Sequence, residues 1–243
     1  MIGRKLILLD EIDSTNNYTA KLLNDGKMAH GTVILADKQT NGRGQRGNSW
    51  FSDAGNQFTC SIYVETAFLS AERYWILNLA VALAVRETIQ SLITEKVAIK
   101  WPNDLLVTDK KMAGILIETQ WRSGTIQGAI IGIGINLNSE TTLNSSCALH
   151  DFRTELLKPI DLIPSLLSAM QRNWQRLIEG NWNDIITEYQ HQLWRKDESQ
   201  VVENVEGKKM NGIIRGIDGT GNLLVETNGE IQSYGLKELK FQY

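Results

Sequence analysis

Residues Gly42-Arg43-Gly44-Gln45-Arg46-Gly47-Asn48-Ser49-Trp50 combine three glycines, two arginines and a tryptophan. Glycines free the backbone to wrap a ligand, arginines bring cations to phosphates, and an indole offers a flat face. That composition suits a segment holding a nucleotide. The spacing also satisfies G-x-G-x-x-G, the fingerprint of a dinucleotide-binding turn between a strand and a helix. The next residues, Asn48 to Gly55, have polar and glycine breaks and no helical period, so no helix N-terminus is expected there to receive a pyrophosphate. The dinucleotide reading is set aside on that context.

Four further groups could do chemistry. Ser14-Thr15-Asn16 and Gln39 carry short polar side chains, and Lys100-Trp101-Pro102-Asn103-Asp104 places two charges around a turn. Lys111-Met112-Ala113-Gly114-Ile115-Leu116 and Gly132-Ile133-Gly134-Ile135-Asn136 put glycines inside apolar runs, which often marks close approach of a ligand or another backbone. Each group also has a plain structural reading. Ser14 or Thr15 suits the cap of a helix, Pro102 rigidifies a turn, and Lys110-Lys111 alone would be two solvated charges. The cap and the ligand role of Ser14 are compatible, and both stay open at this stage.

Composition narrows the field. The 243 residues carry 25 Lys+Arg against 28 Asp+Glu, a formal net charge of -3, which argues against a general nucleic-acid binder with a basic face. The first ten residues contain too short an apolar run for a signal peptide, so a cytoplasmic protein is expected. Cys60 and Cys147 stand far apart with no Cys-x-x-Cys or Cys/His grouping, and both are expected to be buried or idle thiols. P-loop, His-Glu-x-x-His and Gly-x-Ser-x-Gly patterns are missing, and no metal-ligand set is assigned.

The elements that must position these residues read as strands at Leu6–Leu9, Thr32–Ala36, Val97–Trp101, Leu105–Val107, Met112–Thr119 and Thr125–Ile135. Gln57–Val64 alternates Phe58, Cys60, Ile62 and Val64 as a half-buried strand does. A short helix runs from Ser14 or Thr15 through Tyr18 and Leu22 to Gly26, and Ala71–Ile93 is a long, mostly buried helix. Asp161–Gly180 and Trp182–Trp194 follow as helices whose tryptophans belong to the core. Beyond about Arg195 the chain turns to short strands, with Asp218-Gly219 and Asn228-Gly229 at hairpin positions.

Taken together and in this order, Ser14-Thr15-Asn16, Gln39, Gly42–Gly47, Trp50, Lys100–Asp104, Lys111–Leu116 and Gly132–Asn136 resemble the biotin protein ligases over nearly the whole chain. The resemblance implies an α+β fold: a mixed, mainly antiparallel sheet with helices, like a class II synthetase, over residues 1–194. A small Src-homology-3-like β-barrel over 195–243 would follow. It further implies the short form without a DNA-binding segment, since the first catalytic strand starts at about Leu6. The implied reaction joins biotin to ATP, with Mg2+ expected, giving biotinyl-adenylate. The biotinyl group then passes to a lysine of a carboxylase's biotin carboxyl carrier domain. No DNA or membrane partner is implied, and monomer and homodimer both stay open.

The same resemblance assigns residues. Lys111 and Arg43 would be catalytic, Lys111 bridging the biotin carboxylate and the phosphate and Arg43 closing with the loop amides over the adenylate. Ser14, Thr15, Asn16, Gln39, Arg43, Gly44, Gln45, Lys111, Gly114, Gly132 and Gly134 would bind biotin. Gly42, Arg43, Arg46, Gly47, Trp50, Asn103, Asp104, Lys111 and Asn136 would bind the nucleotide, with Trp50 facing adenine. One departure stands out: the family loop reads Gly-Arg-Gly-Arg-Arg-Gly, and here Gln45 replaces an arginine, removing a cation that helps hold the loop closed. Two rivals are kept, a lipoate or octanoate ligase, whose Arg-Arg-x-Ser-Gly-Gly pattern is missing here, and a non-catalytic biotin sensor.

Overall fold

Runs of Ile, Val and Leu broken by turn residues build the central sheet of this chain. The computed structural model describes residues 1–122, 125–139 and 145–241, with the backbone alone for Arg46 and Arg122. Seven strands form the sheet: β1 (Lys5–Ile12), β2 (Thr32–Gln39), β5 (Gln57–Glu65), β6 (Val97–Lys100), β7 (Asp104–Val107), β8 (Lys110–Arg122) and β9 (Thr125–Asn136). Their order is β1-β2-β5-β9-β8-β7-β6, with β1 and β2 parallel and every other neighbour antiparallel. The mixed, mainly antiparallel sheet is the one expected.

The glycine loop is a hairpin of β3 (Gly42–Arg43) and β4 (Ser49–Trp50) around a single 3-10 turn at Gln45–Gly47. No helix follows it, in agreement with the sequence context. Gly47 sits at φ +86°, a left-handed conformation that only glycine adopts without strain.

Strand β5 departs from its reading as half-buried, because both of its faces are covered. Phe58, Cys60, Ile62 and Val64 join the core on one side, whereas helix α1 (Thr15–Asn24) covers the side carrying Ser61, whose hydroxyl contacts Thr15 and Asn16. A polar strand face can be buried there because α1 supplies hydrogen-bond partners. The alternation was legible, but the helix returning over the polar face was not.

The expected long helix at 71–93 divides into a 3-10 turn, Ala71–Arg73, and helix α2 (Trp75–Gln90), rich in leucine and alanine. Most of α2 is buried against β6, β7 and β8 on one side and against α3 (Ile163–Ile178) and α4 (Trp182–His191) on the other. Full burial of each Leu or Ile there contributes about 1.5–3 kcal/mol. Helix α3 is preceded by a 3-10 turn at Pro159–Leu162, with Pro159 at its first position, where the missing N–H costs no hydrogen bond. Trp174 and Trp194 are buried as core residues, and Trp182 is half-buried.

Past Trp194 the chain forms a second, five-stranded antiparallel sheet of β10 (Ser199–Asn204), β11 (Lys209–Ile217), β12 (Leu223–Thr227), β13 (Glu230–Tyr234) and β14 (Leu239–Phe241), ordered β13-β12-β11-β10-β14. Asn228 and Gly229 turn β12 into β13 at φ 53° and 82°, the paired positive values of a two-residue hairpin. The second expected hairpin, at Asp218-Gly219, is a wider turn closed by hydrogen bonds from Thr220 and Asn222 to the Asp218 carboxylate. Trp101 ties the two sheets together, its Nε1 donating to the Gly221 carbonyl at 2.9 Å.

Candidate active site

The residues assigned from sequence converge on one cavity. Its walls include Ser14, Thr15, Asn16, Gln39, Arg43, Gly44, Gln45, Lys111, Gly114, Gly132 and Gly134, every residue assigned to biotin. Trp50 and Asn103 line it as well.

The sheet register creates the space. Gly132 on β9 stands opposite Ser61 on β5 and Leu116 on β8, and Gly134 stands between Thr59 and Gly114. These glycines are needed for close approach. A Cβ on Gly132 would lie 2.6 Å from Asn16 Oδ1, and one on Gly134 would lie 2.4 Å from Cε2 of the Trp50 indole. The indole therefore rests directly on the β9 backbone, with the Lys111 ammonium 5.7 Å from its ring centre and its own Nε1 buried without a partner among the described residues.

The buried end is neutral and polar. Thr15 donates to Gln39 Oε1 from its amide at 2.8 Å and from its hydroxyl at 3.0 Å. Ser61 Oγ lies 2.7 Å from Thr15 Oγ1 and 2.5 Å from Asn16 Oδ1. The two hydroxyls in these contacts carry two hydrogens, one fewer than the three oxygen-oxygen contacts they make, so the cluster has surplus acceptors. Ser14 occupies the cap position of α1 in extended geometry, yet its side chain makes no capping bond. Ser14 also lines the cavity.

The mouth is charged. Arg43 Nη2 meets Glu118 Oε2 at 2.7 Å, and Asn16 Nδ2 donates to the same oxygen at 2.7 Å. Lys111 Nζ pairs with Asp104 Oδ1 at 2.8 Å. A β-bulge aims that lysine: the β7–β8 register passes from Leu105–Ala113 to Leu106–Lys111, which leaves Met112 as an extra residue. Lys111 thereby comes onto the Gly114 side of the strand, its Nζ 3.2 Å from where a Gly114 Cβ would stand. Its backbone is gripped as well, its amide donating to Ser145 O and its carbonyl accepting from Cys147 N.

Gly42, Gly47, Asp104 and Asn136 stand outside the cavity walls, whereas Asn103 is part of them. Gly42 is buried beneath Trp50, Gly47 is exposed, and the side chain of Arg46 lies outside the described residues. Asn103 is a clasp, its Nδ2 donating to Ile115 O at 2.6 Å. Asn136 Nδ2 donates to Cys147 O at 3.0 Å and reaches Lys111 O at 3.5 Å, so its amide holds the chain around Lys111. Lys100, opposite Asp104 in the β6–β7 register, has its ammonium pushed below the ordinary lysine range by burial, with Asp104 opposing and Lys111 adding to that shift. Burial also raises both thiols, Cys147 to about 12 with help from Asp151, so they stay protonated, as idle thiols should.

Glu118 and Ser61 were missed in the sequence. A signal for the first existed: residues alternate along a strand, so counting by twos from Gly114 through Leu116 reaches Glu118. Ser61 gave none beyond its place on a strand whose other face is apolar.

Comparison with known proteins places this geometry. Residues 8–136 match the biotin/lipoate A/B protein ligase family, and residues 200–235 match the biotin protein ligase C terminal domain. The bifunctional ligase/repressor BirA of Escherichia coli is 31% identical over 96% of this chain and 72% of its own length. The biotin--[acetyl-CoA-carboxylase] ligase of Mycobacterium tuberculosis is 27% identical over 93% of this chain and 85% of its own. The fold is shared with the biotin protein ligase of Aquifex aeolicus solved with biotin and ATP, at a TM-score of 0.80 and 24% identity over 98% of this chain and 99% of that one. With the family match covering residues 8–136 and curated relatives aligned along nearly its whole length, this chain belongs to the biotin/lipoate A/B protein ligase family.

Proposed function

We infer that this chain is an ATP-dependent biotin protein ligase, which forms biotinyl-adenylate and transfers the biotinyl group to a lysine of a carboxylase's carrier domain. The observation that carries this reading is the order of chemistry along one cavity. Its buried end has surplus acceptor capacity around Thr15 and Asn16, its middle is backbone, glycine and Leu116, and its mouth holds Arg43 and Lys111. Biotin has the matching order: a ureido ring with two N–H donors, an apolar tail and a carboxylate. A lipoyl ring carries no N–H donor, so it would leave the buried acceptors unmatched, a cost of about 1–3 kcal/mol for each such group.

In the first step a biotin carboxylate oxygen attacks the α-phosphorus of ATP, and the bond to pyrophosphate breaks. Two anions must approach, and a unit charge pair at about 4 Å is worth roughly 4 kcal/mol at an effective dielectric near 20. Lys111 and Arg43 supply that compensation at the mouth, with Arg43 carried on the hairpin that closes over the adenylate. Trp50 offers its ring beside Lys111 as the face for adenine. In the second step the carrier's lysine amine attacks the carbonyl carbon, AMP leaves, and the amine loses a proton.

Mg2+ is expected to accompany ATP. Among the described residues no three His, Cys, Asp or Glu side chains group together, and Asp104 is the carboxylate beside Lys111. That donor set suits a magnesium ion held mainly by phosphates and water, with one carboxylate from the protein. No described helix is long and apolar enough to cross a membrane. The purified protein, incubated with ATP, Mg2+, biotin and an isolated carrier domain, should add one biotinyl group to the carrier, and lipoate should not substitute. Failure to label the carrier with biotin, or equal labelling with lipoate, would refute the assignment.

A further inference from the structure

The polar contacts of the cavity form one continuous chain, Gln39–Thr15–Ser61–Asn16–Glu118–Arg43. It starts at the buried end and finishes on the arginine of the β3–β4 hairpin. Glu118 is the link on which the two ends meet, because a single oxygen, Oε2, accepts from both Asn16 and Arg43 at 2.7 Å. The Asn16 end is buried, whereas the Arg43 and Glu118 side chains remain 39% and 30% exposed, so the link stands at the boundary with solvent.

We propose that Glu118 is a positioning residue: it holds Arg43 at the mouth of the cavity and joins the hairpin to the side chains at the buried end. Guanidinium geometry makes this possible. Arg43 has five N–H donors, and its contact to Glu118 uses Nη2, so its other edge can meet a substrate anion while Glu118 keeps its orientation. Glu118 also fixes Asn16, and through it the acceptors that meet the ligand's ring. Its carboxylate thus orders both ends of the ligand without touching reacting atoms.

This inference rests on the ligase reading, and the test separates the two. Purified protein is loaded with biotinyl-adenylate and its release timed for the unmodified chain, E118Q, R43A and the double variant. Removing a partly exposed charge pair should speed release by roughly two- to five-fold in E118Q. In the R43A background the same change should have little further effect, because the partner is already gone. E118D, which keeps the charge but shortens the reach, should behave as E118Q does; matched thermal unfolding checks that each variant folds. Unchanged release in E118Q, or an equal acceleration with and without Arg43, would overturn the positioning role. Absence of adenylate binding or biotin-dependent pyrophosphate exchange in the unmodified chain would instead overturn the ligase reading and this inference with it.

Discussion

Adding one methyl group at Gly132 tests the geometry of the cavity's buried end. In Gly132→Ala the new Cβ would lie 2.6 Å from Asn16 Oδ1 and 3.1 Å from both Cγ and Nδ2, closer than such contacts are tolerated. Asn16 has little room to yield, since it is 3% exposed and held at both ends, by Ser61 and by the Glu118 carboxylate. Rotating it away forfeits one neutral hydrogen bond, worth about 1 kcal/mol, and one charge-assisted bond, worth about 1.5–3 kcal/mol. Water reaches the half-exposed Glu118 and recovers part of the second. A net cost of about 2–3 kcal/mol follows, or a fall in Tm of roughly 4–12 °C for a chain of this size. Displacement of Asn16 should also weaken biotin by about one hydrogen bond, near five-fold in Kd. Thermal unfolding and calorimetric titration with biotin read the two effects separately. The decisive control is Asn16→Ala: with that side chain gone, Gly132→Ala should cost little more, a strong departure from additivity. A Tm within 1 or 2 °C of the unmodified chain, or a cost that persists in full without Asn16, would refute the reasoning.

Two other perturbations follow from the same structure. Gln45→Arg restores the cation found at this place in the family's loop and should slow release of biotinyl-adenylate, which a stopped-flow measurement reads; an unchanged off-rate would sink the idea. Burial opposes the charge on the Asp218 carboxylate, but hydrogen bonds from Ser233, Thr220 and Asn222 outweigh it and hold the pKa at about 2, below the unfolded value near 3.9. The depressed carboxylate contributes stability above about pH 4 that is lost as pH falls through about 2, so Asp218→Asn should destabilise the C-terminal sheet at pH 7 and much less near pH 2. Melting curves at both pH values check this, and an equal Tm difference at the two would contradict it.

Most of the cavity was legible because its residues lie in short linear motifs. Ser14-Thr15-Asn16, Gly42–Gly47 and Lys111–Gly114 each sit at the end of an element or at a turn, where local types suffice to mark them. What escaped notice depends on register. Ser61 faces Gly132 only once β5 pairs with β9, and Glu118 meets Asn16 across 102 residues only once α1 lies on the sheet. The amides of Asn103 and Asn136 escaped in the same way: they hold the backbones of Ile115 and Cys147, distant segments that only folding brings near. The half-buried reading of β5 failed on the same ground, since the covering helix decides it.

The central claim, that one cavity joins biotin to ATP with Lys111 at its mouth, is tested most directly by exchange of labelled pyrophosphate into ATP. The account predicts exchange that requires biotin, and a loss of about 10² to 10³ in rate for Lys111→Ala, the usual cost of removing one group that stabilises developing charge. Exchange without biotin, or full activity in Lys111→Ala, would contradict it.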